Sequence, residues 1–243
     1  MQAVSGPAED EVSRLEQQGP VSSECGRLIE EIRREGTALP YPLCDKPLSA
    51  NVLDAMSAVP REAFLPPSGR AYAYENMPAA IGYGQTISQP FIVALMTDLL
   101  DVEPGDAVLE VGTGSGYQAA VLSRLVTDVY SIENIAPLAD SARERLQALG
   151  YDNVHVRTGD GSEGWPAHAP YDGVIVTAAG ERIPPALIEQ MREGARMVIP
   201  IGGHHEVQWL TVVDKPVGGE ALARRVLAVR FVPLTSGTRS VDS

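Results

Sequence analysis

The twelve residues AVLEVGTGSGYQ, from Ala107 to Gln118, constrain this chain more than any others. A short apolar run passes without a linker into three spaced glycines, Gly112, Gly114 and Gly116, and an apolar helical pattern follows at once. Glycine permits a tight turn and lets backbone come close to a ligand, and open α/β sheets bind ligands outside the carboxyl ends of their strands. A cofactor crevice after this strand is the natural reading. A tight strand-to-helix turn with no ligand is the alternative that the glycines alone leave open.

The surrounding pattern repeats that unit. Helix is expected over 117–126, strand over 128–133, helix over 137–150 and strand over 153–160, then strand over 171–179, helix over 184–194 and strand over 195–202. Short Val- and Ile-rich strands separated by helices predict a mostly parallel sheet buried on both faces, an α/β fold. Two further strand-like runs, 206–215 and 223–234, are joined by PVGGE with no helix between them, so an antiparallel hairpin should end a sheet of seven strands. Upstream, Leu28, Ile29 and Ile32 share one face of a helix over 26–35 with Gly36 as its stop. Ser49 is the cap of a second helix through Val52, Leu53, Met56 and Val59 to Pro60. Gly82 and Gly84 mark a turn, and Pro90 stands in the first turn of an apolar helix. Residues 1–23 are acidic and rich in Ser, Gly and Gln, a composition that predicts a flexible tail. Residues 24–243 then make a single domain, with a helical cover and active-site loop in 24–100 and the cofactor-binding core and hairpin in 101–243.

Charge and cysteine use narrow the partners. With 19 Lys and Arg against 32 Asp and Glu, the net charge of −13 repels phosphate backbones and anionic lipid, so neither nucleic acid nor membrane is an expected partner. The first residues hold no basic flank before an apolar run, and no run is long enough to span a bilayer, which gives a cytoplasmic monomer as the expectation. Cys25 and Cys44 lack CxxC spacing, and His155, His168, His204 and His205 are scattered, so no metal is expected.

The cofactor class turns on three positions. A dinucleotide fingerprint needs glycine where Tyr117 stands, which disfavours a pyrophosphate and with it an NAD(P)-dependent oxidoreductase. Glu133 ends the second strand at the distance where a carboxylate meets a ribose diol, unless it is simply a solvated strand-end charge. Asp160, before Gly161 in TGDG, ends the third strand where it faces an adenine, unless it is a turn aspartate. Three strand ends converging on an adenosine-shaped ligand with no phosphate site suggest S-adenosylmethionine, with Glu110 beside them in the first strand.

In order along the chain stand VPREAF, IGYGQTISQP, VLEVGTGSGYQAAVLSRL, GDG, YDGVIVTAA, IP and VRFVPL. With these segments the chain resembles the protein-L-isoaspartate (D-aspartate) O-methyltransferase family over roughly 26–235. The resemblance implies a Rossmann-like, S-adenosylmethionine-dependent methyltransferase fold. It implies Ser88 as the active-site residue, with Gln85, Thr86 and Ile87 beside cofactor and substrate. It implies cofactor contacts at Glu110, Gly112, Thr113, Gly114, Ser115, Gly116, Glu133, Asp160, Gly161 and Thr235, and substrate contacts at Ala79, Ile81, Ser88 and Val232. From the residues alone, Ser88 before Gln89 and Pro90 reads equally as a helix N-cap. The implied reaction methylates the free carboxylate of L-isoaspartyl residues in damaged proteins, releases S-adenosylhomocysteine and leads through a succinimide to repair. Where the family has Leu-Pro before IG, this chain has Ala79 and Ala80, and Ala195 replaces the second glycine before the fifth strand. Those changes and the acidic extension motivate one rival, a relative that methylates an aspartate of a biosynthetic peptide to form an aspartimide. A catalytically dead binding module on the same fold is another.

Overall fold

A computed structural model describes residues 23–39, 47–203, 206–235 and 237. The expected tail lies outside the described residues except for Ser23, and so do Cys44, His204 and His205. The face built on Leu28, Ile29 and Ile32 is the buried side of α1 (Ser23–Thr37). Gly36 lies within the last turn of that helix instead of stopping it, because its missing side chain leaves room for Leu48. Ser49 caps α2 (Ala50–Ala58) by accepting from the Val52 N–H at 3.4 Å. Its own N–H donates to Asp98 Oδ1 of α3 (Pro90–Leu100) at 2.8 Å, so the cap also joins two helices of the cover. Between α2 and α3 the chain makes two short 3₁₀ turns and a hairpin, β1 (Ala79–Gly82) and β2 (Gln85–Ile87), which pairs Ala79 with Ile87 and Ala80 with Thr86.

The main sheet contains β3 (Ala107–Val111), β4 (Asp128–Glu133), β5 (Val154–Thr158), β6 (Tyr171–Val176), β7 (Met191–Ile201), β8 (Gln208–Asp214) and β9 (Leu222–Val229). Its order is β5-β4-β3-β6-β7-β8-β9, parallel through β7 and antiparallel at β7–β8 and β8–β9. The chain runs outward from β3 to β5 and returns to the other side of β3 with β6. Such a reversal opens a crevice at the carboxyl end of β3, where the glycine turn stands. Strand alternation divides the core. Val108, Val129, Ile175 and Val198 pack under α1, α2, α3 and α4 (Tyr117–Leu122), while Leu109, Val111, Val174, Val176 and Met197 pack with Leu187 of α6 (Pro185–Glu189). Helix α5 (Ala136–Ala148) contributes Leu146 to the first of these clusters.

Two helices are markedly shorter than the periodicity predicts, and the strands expected over 153–160, 171–179 and 223–234 end early, at Thr158, Val176 and Val229. Helix α4 ends at Leu122, and the Asn153 amide takes carbonyls released beyond it, Ser123 at 3.0 Å and Thr127 at 3.1 Å. Helix α6 ends at Glu189, and residues 191–194, read from sequence as helix, belong to β7. There the Lys215 ammonium donates to the carbonyls of Ile188 at 2.9 Å and Met191 at 2.6 Å, a contact between residues far apart in sequence.

Ile32 is fully enclosed between the cover and the sheet-facing helices. Ile32→Ala should therefore lower the unfolding free energy by about 3 kcal/mol, seen as a lower urea midpoint at unchanged slope. An unchanged midpoint would show that α1 is not part of the cooperative core.

Candidate functional site

The glycine turn is bolted to the strands on either side of β3. The N–H groups of Gly112 and Thr113 donate to the Ile132 carbonyl at 2.8 and 3.3 Å. On the other side, Thr177 Oγ1 donates to the Gly112 carbonyl at 2.6 Å. Gly112 has φ +98°, and a Cβ there would collide with that same threonine oxygen, so glycine is required twice over. At the end of β4, Glu133 accepts from the Gly114 N–H at 2.8 Å and from the Ile135 N–H at 3.1 Å. Burial pushes its carboxyl up from the ordinary carboxylate range, against backbone N–H groups that hold it down. Each oxygen has one bond from the backbone and retains acceptor capacity.

Above the turn lies a crevice of about 750 Å³, part of it open to solvent. Gly112, Thr113, Gly114, Ser115, Glu133 and Gly161 line it from the sheet, Gln85 to Ser88 from the hairpin, and Val232 to Thr235 from beyond β9. This last segment is strapped down over the crevice. Ala179 N–H donates to the Val232 carbonyl and Leu234 N–H to the Ala179 carbonyl, both at 2.8 Å, and the Asn134 amide donates to the Thr235 carbonyl at 3.2 Å. Glu133 is the one charged side chain lining the cavity among the described residues. A lone carboxylate without Lys or Arg fits a cationic nucleoside and repels a pyrophosphate.

Five residues singled out from the sequence lie outside this lining. Glu110 points to the face under the helices, because alternation along β3 sets it with Val108 and in register with Ser131. It accepts from Ser131 Oγ, which in turn contacts Thr113 Oγ1 at 2.6 Å, so Glu110 supports the turn from behind. Burial first, then the Glu133 charge, push its pKa from 4.5 up to about 8, with the Ser131 bond acting against them. Gly116 starts α4 facing Leu146. Asp160 caps its own turn through Ser162 N–H at 2.9 Å and accepts from the Gly237 N–H at 2.6 Å, which ties down the strap. Ala79 packs on the core opposite Ile87, and Ile81 lies against Gly114. Conversely, Tyr117, Gln118, Asn134 and Thr177 line the cavity without having been singled out for it. Thr177 directly follows β6 at the strand reversal, a position from which the strand-end rule alone could have found it.

Ser88 is not the N-cap of α3. Gln89 holds that position without a side-chain bond, and Asn76 Oδ1, from outside the helix, accepts from the Phe91 N–H at 3.0 Å. The Ser88 hydroxyl is thus released from capping. Ser88, with Thr86, Thr177 and Val232, lines both the cavity and a second, open groove that runs past Phe91, Leu227 and Arg230. The residue stands where the two meet.

A family model described as protein-L-isoaspartate(D-aspartate) O-methyltransferase matches residues 39–239. A protein named protein-L-isoaspartate O-methyltransferase 2 from Syntrophobacter fumaroxidans is 53% identical over 218 residues, covering 90% of this chain and 88% of that protein. One of the same name from Polaromonas is 58% identical over 188 residues, covering 77% of this chain and 89% of the other. A solved structure named protein-L-isoaspartate O-methyltransferase superposes with a TM-score of 0.75 at 28% identity, over 87% of this chain and 66% of that one. A Plasmodium falciparum structure described as a beta-aspartate methyltransferase in complex with S-adenosyl-L-homocysteine superposes at 0.72 with 23% identity, over 87% of this chain and 98% of that one.

Glu110 gives the site region a pH signature. Its folded pKa of about 8 lies above the unfolded 4.5, so the stability it contributes is complete below about pH 4.5 and is lost as pH rises to about 8. Glu110→Gln keeps an acceptor for Ser131 and cannot ionise. Between pH 5 and pH 8 it should gain on the wild type by on the order of 3 kcal/mol in urea unfolding. Parallel pH profiles for the two proteins would contradict the burial of an ionisable group there.

Proposed function

The chain belongs to the protein-L-isoaspartate(D-aspartate) O-methyltransferase family, and on that premise we propose that it methylates the free carboxylate of L-isoaspartyl residues in damaged proteins. The methyl donor is S-adenosylmethionine, and S-adenosylhomocysteine is the product. The observation that carries the reading is the place of Ser88, at the junction of the cavity over the glycine turn with the groove past Phe91, Leu227 and Arg230. A small donor fits the cavity, and a protein chain needs the groove. Glu133 would accept the ribose hydroxyls on the lone pairs that its backbone bonds leave, while the turn from Gly112 to Ser115 and Gly161 would hold the rest of the donor. When bound, S-adenosylmethionine supplies a methyl group carried on a sulfonium.

The chemistry asks little of the protein beyond placement. A carboxylate of ordinary pKa, about 4, is already ionised near neutral pH and needs no base to attack a methyl group. The lining fits that demand, with amide, hydroxyl and apolar groups and the single carboxylate of Glu133. Ser88 and the N–H groups beside it orient the acceptor. The strap from Val232 to Thr235 excludes water, which favours a step in which opposite charges cancel. The lone negative charge and Tyr117 in place of a glycine both speak against a dinucleotide.

We take residues 24–243 as one working domain, supported by an apolar cluster that runs from Cys25 to Val226. We further propose a monomer acting in the cytoplasm. The net charge of −13 opposes self-association and anionic surfaces, and no helix among the described residues is long and apolar enough to cross a membrane.

The direct test is transfer of a tritiated methyl group from S-adenosylmethionine to an isoaspartyl peptide, with the normal aspartyl peptide as control. Label in the isoaspartyl peptide alone is expected, and no transfer would refute the reading. Ser88→Ala should lower kcat/KM by about a hundredfold. Its affinity for S-adenosylmethionine, measured by calorimetry, should stay at the wild-type value, whereas equal losses in both would remove Ser88 from the acceptor side.

A further inference from the structure

Arg61 opens the first 3₁₀ turn after α2 and is 1% exposed. Its Nη2 donates to the Ser88 carbonyl at 2.9 Å, and its guanidinium carbon lies 4.8 Å from the centroid of the Tyr117 ring. Nε and Nη1 are buried without a hydrogen-bond partner. None of the ion pairs among the described residues includes Arg61, and the carboxylate next to it in sequence, Glu62, is taken by the Tyr74 hydroxyl. The chain therefore holds a desolvated cation whose partners are the Ser88 carbonyl and the Tyr117 phenol, with no carboxylate paired to it, directly behind the residue at the junction of cavity and groove.

The magnitudes do not suit a purely structural role. Burying a cation without a counter-charge costs several kcal/mol, which a charge-assisted hydrogen bond to a carbonyl, about 2 kcal/mol, and a cation–π contact of about the same size offset only in part. A neutral amide would hold the Ser88 carbonyl at lower cost. What a neutral group cannot supply is potential, and from a buried position of low dielectric a positive charge attracts an anion more strongly than it does in solvent. Burial also pushes the guanidinium pKa down, with the Tyr117 and Tyr74 phenols acting against it.

We propose that Arg61 is a positioning residue for the acceptor, fixing the peptide that carries the Ser88 hydroxyl and supplying the positive potential that draws the substrate carboxylate to it. The inference rests on the methyl-transfer reading above. Nε and Nη1 are closed to solvent, so Arg61 acts through the Ser88 peptide and does not bond the carboxylate oxygens. That geometry attracts the nucleophile while leaving its lone pairs free to attack.

The test uses the full chain, an isoaspartyl peptide, and the same peptide with a carboxamide in place of the acceptor carboxylate, read as an inhibitor. Arg61→Gln should raise KM for the carboxylate peptide by at least about tenfold, with kcat within about threefold. Affinities for the carboxamide peptide and for S-adenosylmethionine should not change. Arg61→Lys keeps the charge and should restore KM to within about threefold of wild type. Arg61→Met should unfold at the same or a higher urea concentration, because it removes a buried unpaired charge. An unchanged KM in Arg61→Gln, or an equal loss for the carboxamide peptide, overturns the proposal. So does a fall in the unfolding midpoint of both the Gln and Met variants, which would make the guanidinium a structural prop. Wild-type inactivity on the isoaspartyl peptide would instead overturn the substrate reading.

Discussion

The bond from the Gly114 N–H to the Glu133 carboxylate is the contact on which the rest of the site depends. It joins the turn after β3 to the end of β4, so two strand ends that converge only through the sheet become one surface. The Ile132 carbonyl and the Thr177 hydroxyl fasten the same turn from either side. The same carboxylate is, among the described residues, the lone charge presented to the cavity. One side chain thereby both fastens the turn and sets the charge of the crevice, whose architecture is inseparable from its electrostatics.

The helical cover is coupled to that crevice by a few polar contacts across apolar packing. Gln118 of α4, which lines the cavity, donates to Thr97 of α3 at 2.9 Å, and Asp98 of α3 receives the Ser49 N–H of α2. Asn76 connects α1 to the start of α3 by donating to Glu35 at 2.7 Å while accepting from Phe91. Each bond is worth about 1 kcal/mol, so most of the stability comes from apolar burial, and the polar contacts fix how the helices of the cover meet, including the start of α3 just after Ser88.

The sequence is most legible where local rules and tertiary structure agree. AVLEV and DVYSIE keep their expected boundaries as β3 and β4, and Ser49 caps as its position suggests. Glu133 was placed by distance along a βαβ unit, a spacing that the unit itself imposes. Reading failed where long-range partners decide. Lys215 and Asn153 cut α6 and α4 short from 24 or more residues away. Glu110 stands beside the cavity-lining Val111 yet faces the opposite way, because a strand alternates and adjacency in sequence does not mean a shared face. Ser88 resembles a cap because its neighbours suit one, and only the fold shows that Asn76 has taken over the task.

The strap over the cavity comes after every strand of the sheet in chain order. A chain leaving the ribosome can build β3, the glycine turn and Glu133 early, but it cannot roof them until β9 has been made and Val232 to Thr235 can reach Ala179 and Asn134. During synthesis the crevice is thus an open, solvated groove with little hold on a small molecule. A ligand held beneath Val232 to Thr235 would therefore report a finished sheet, because the roof over the crevice is the last part of it to be made.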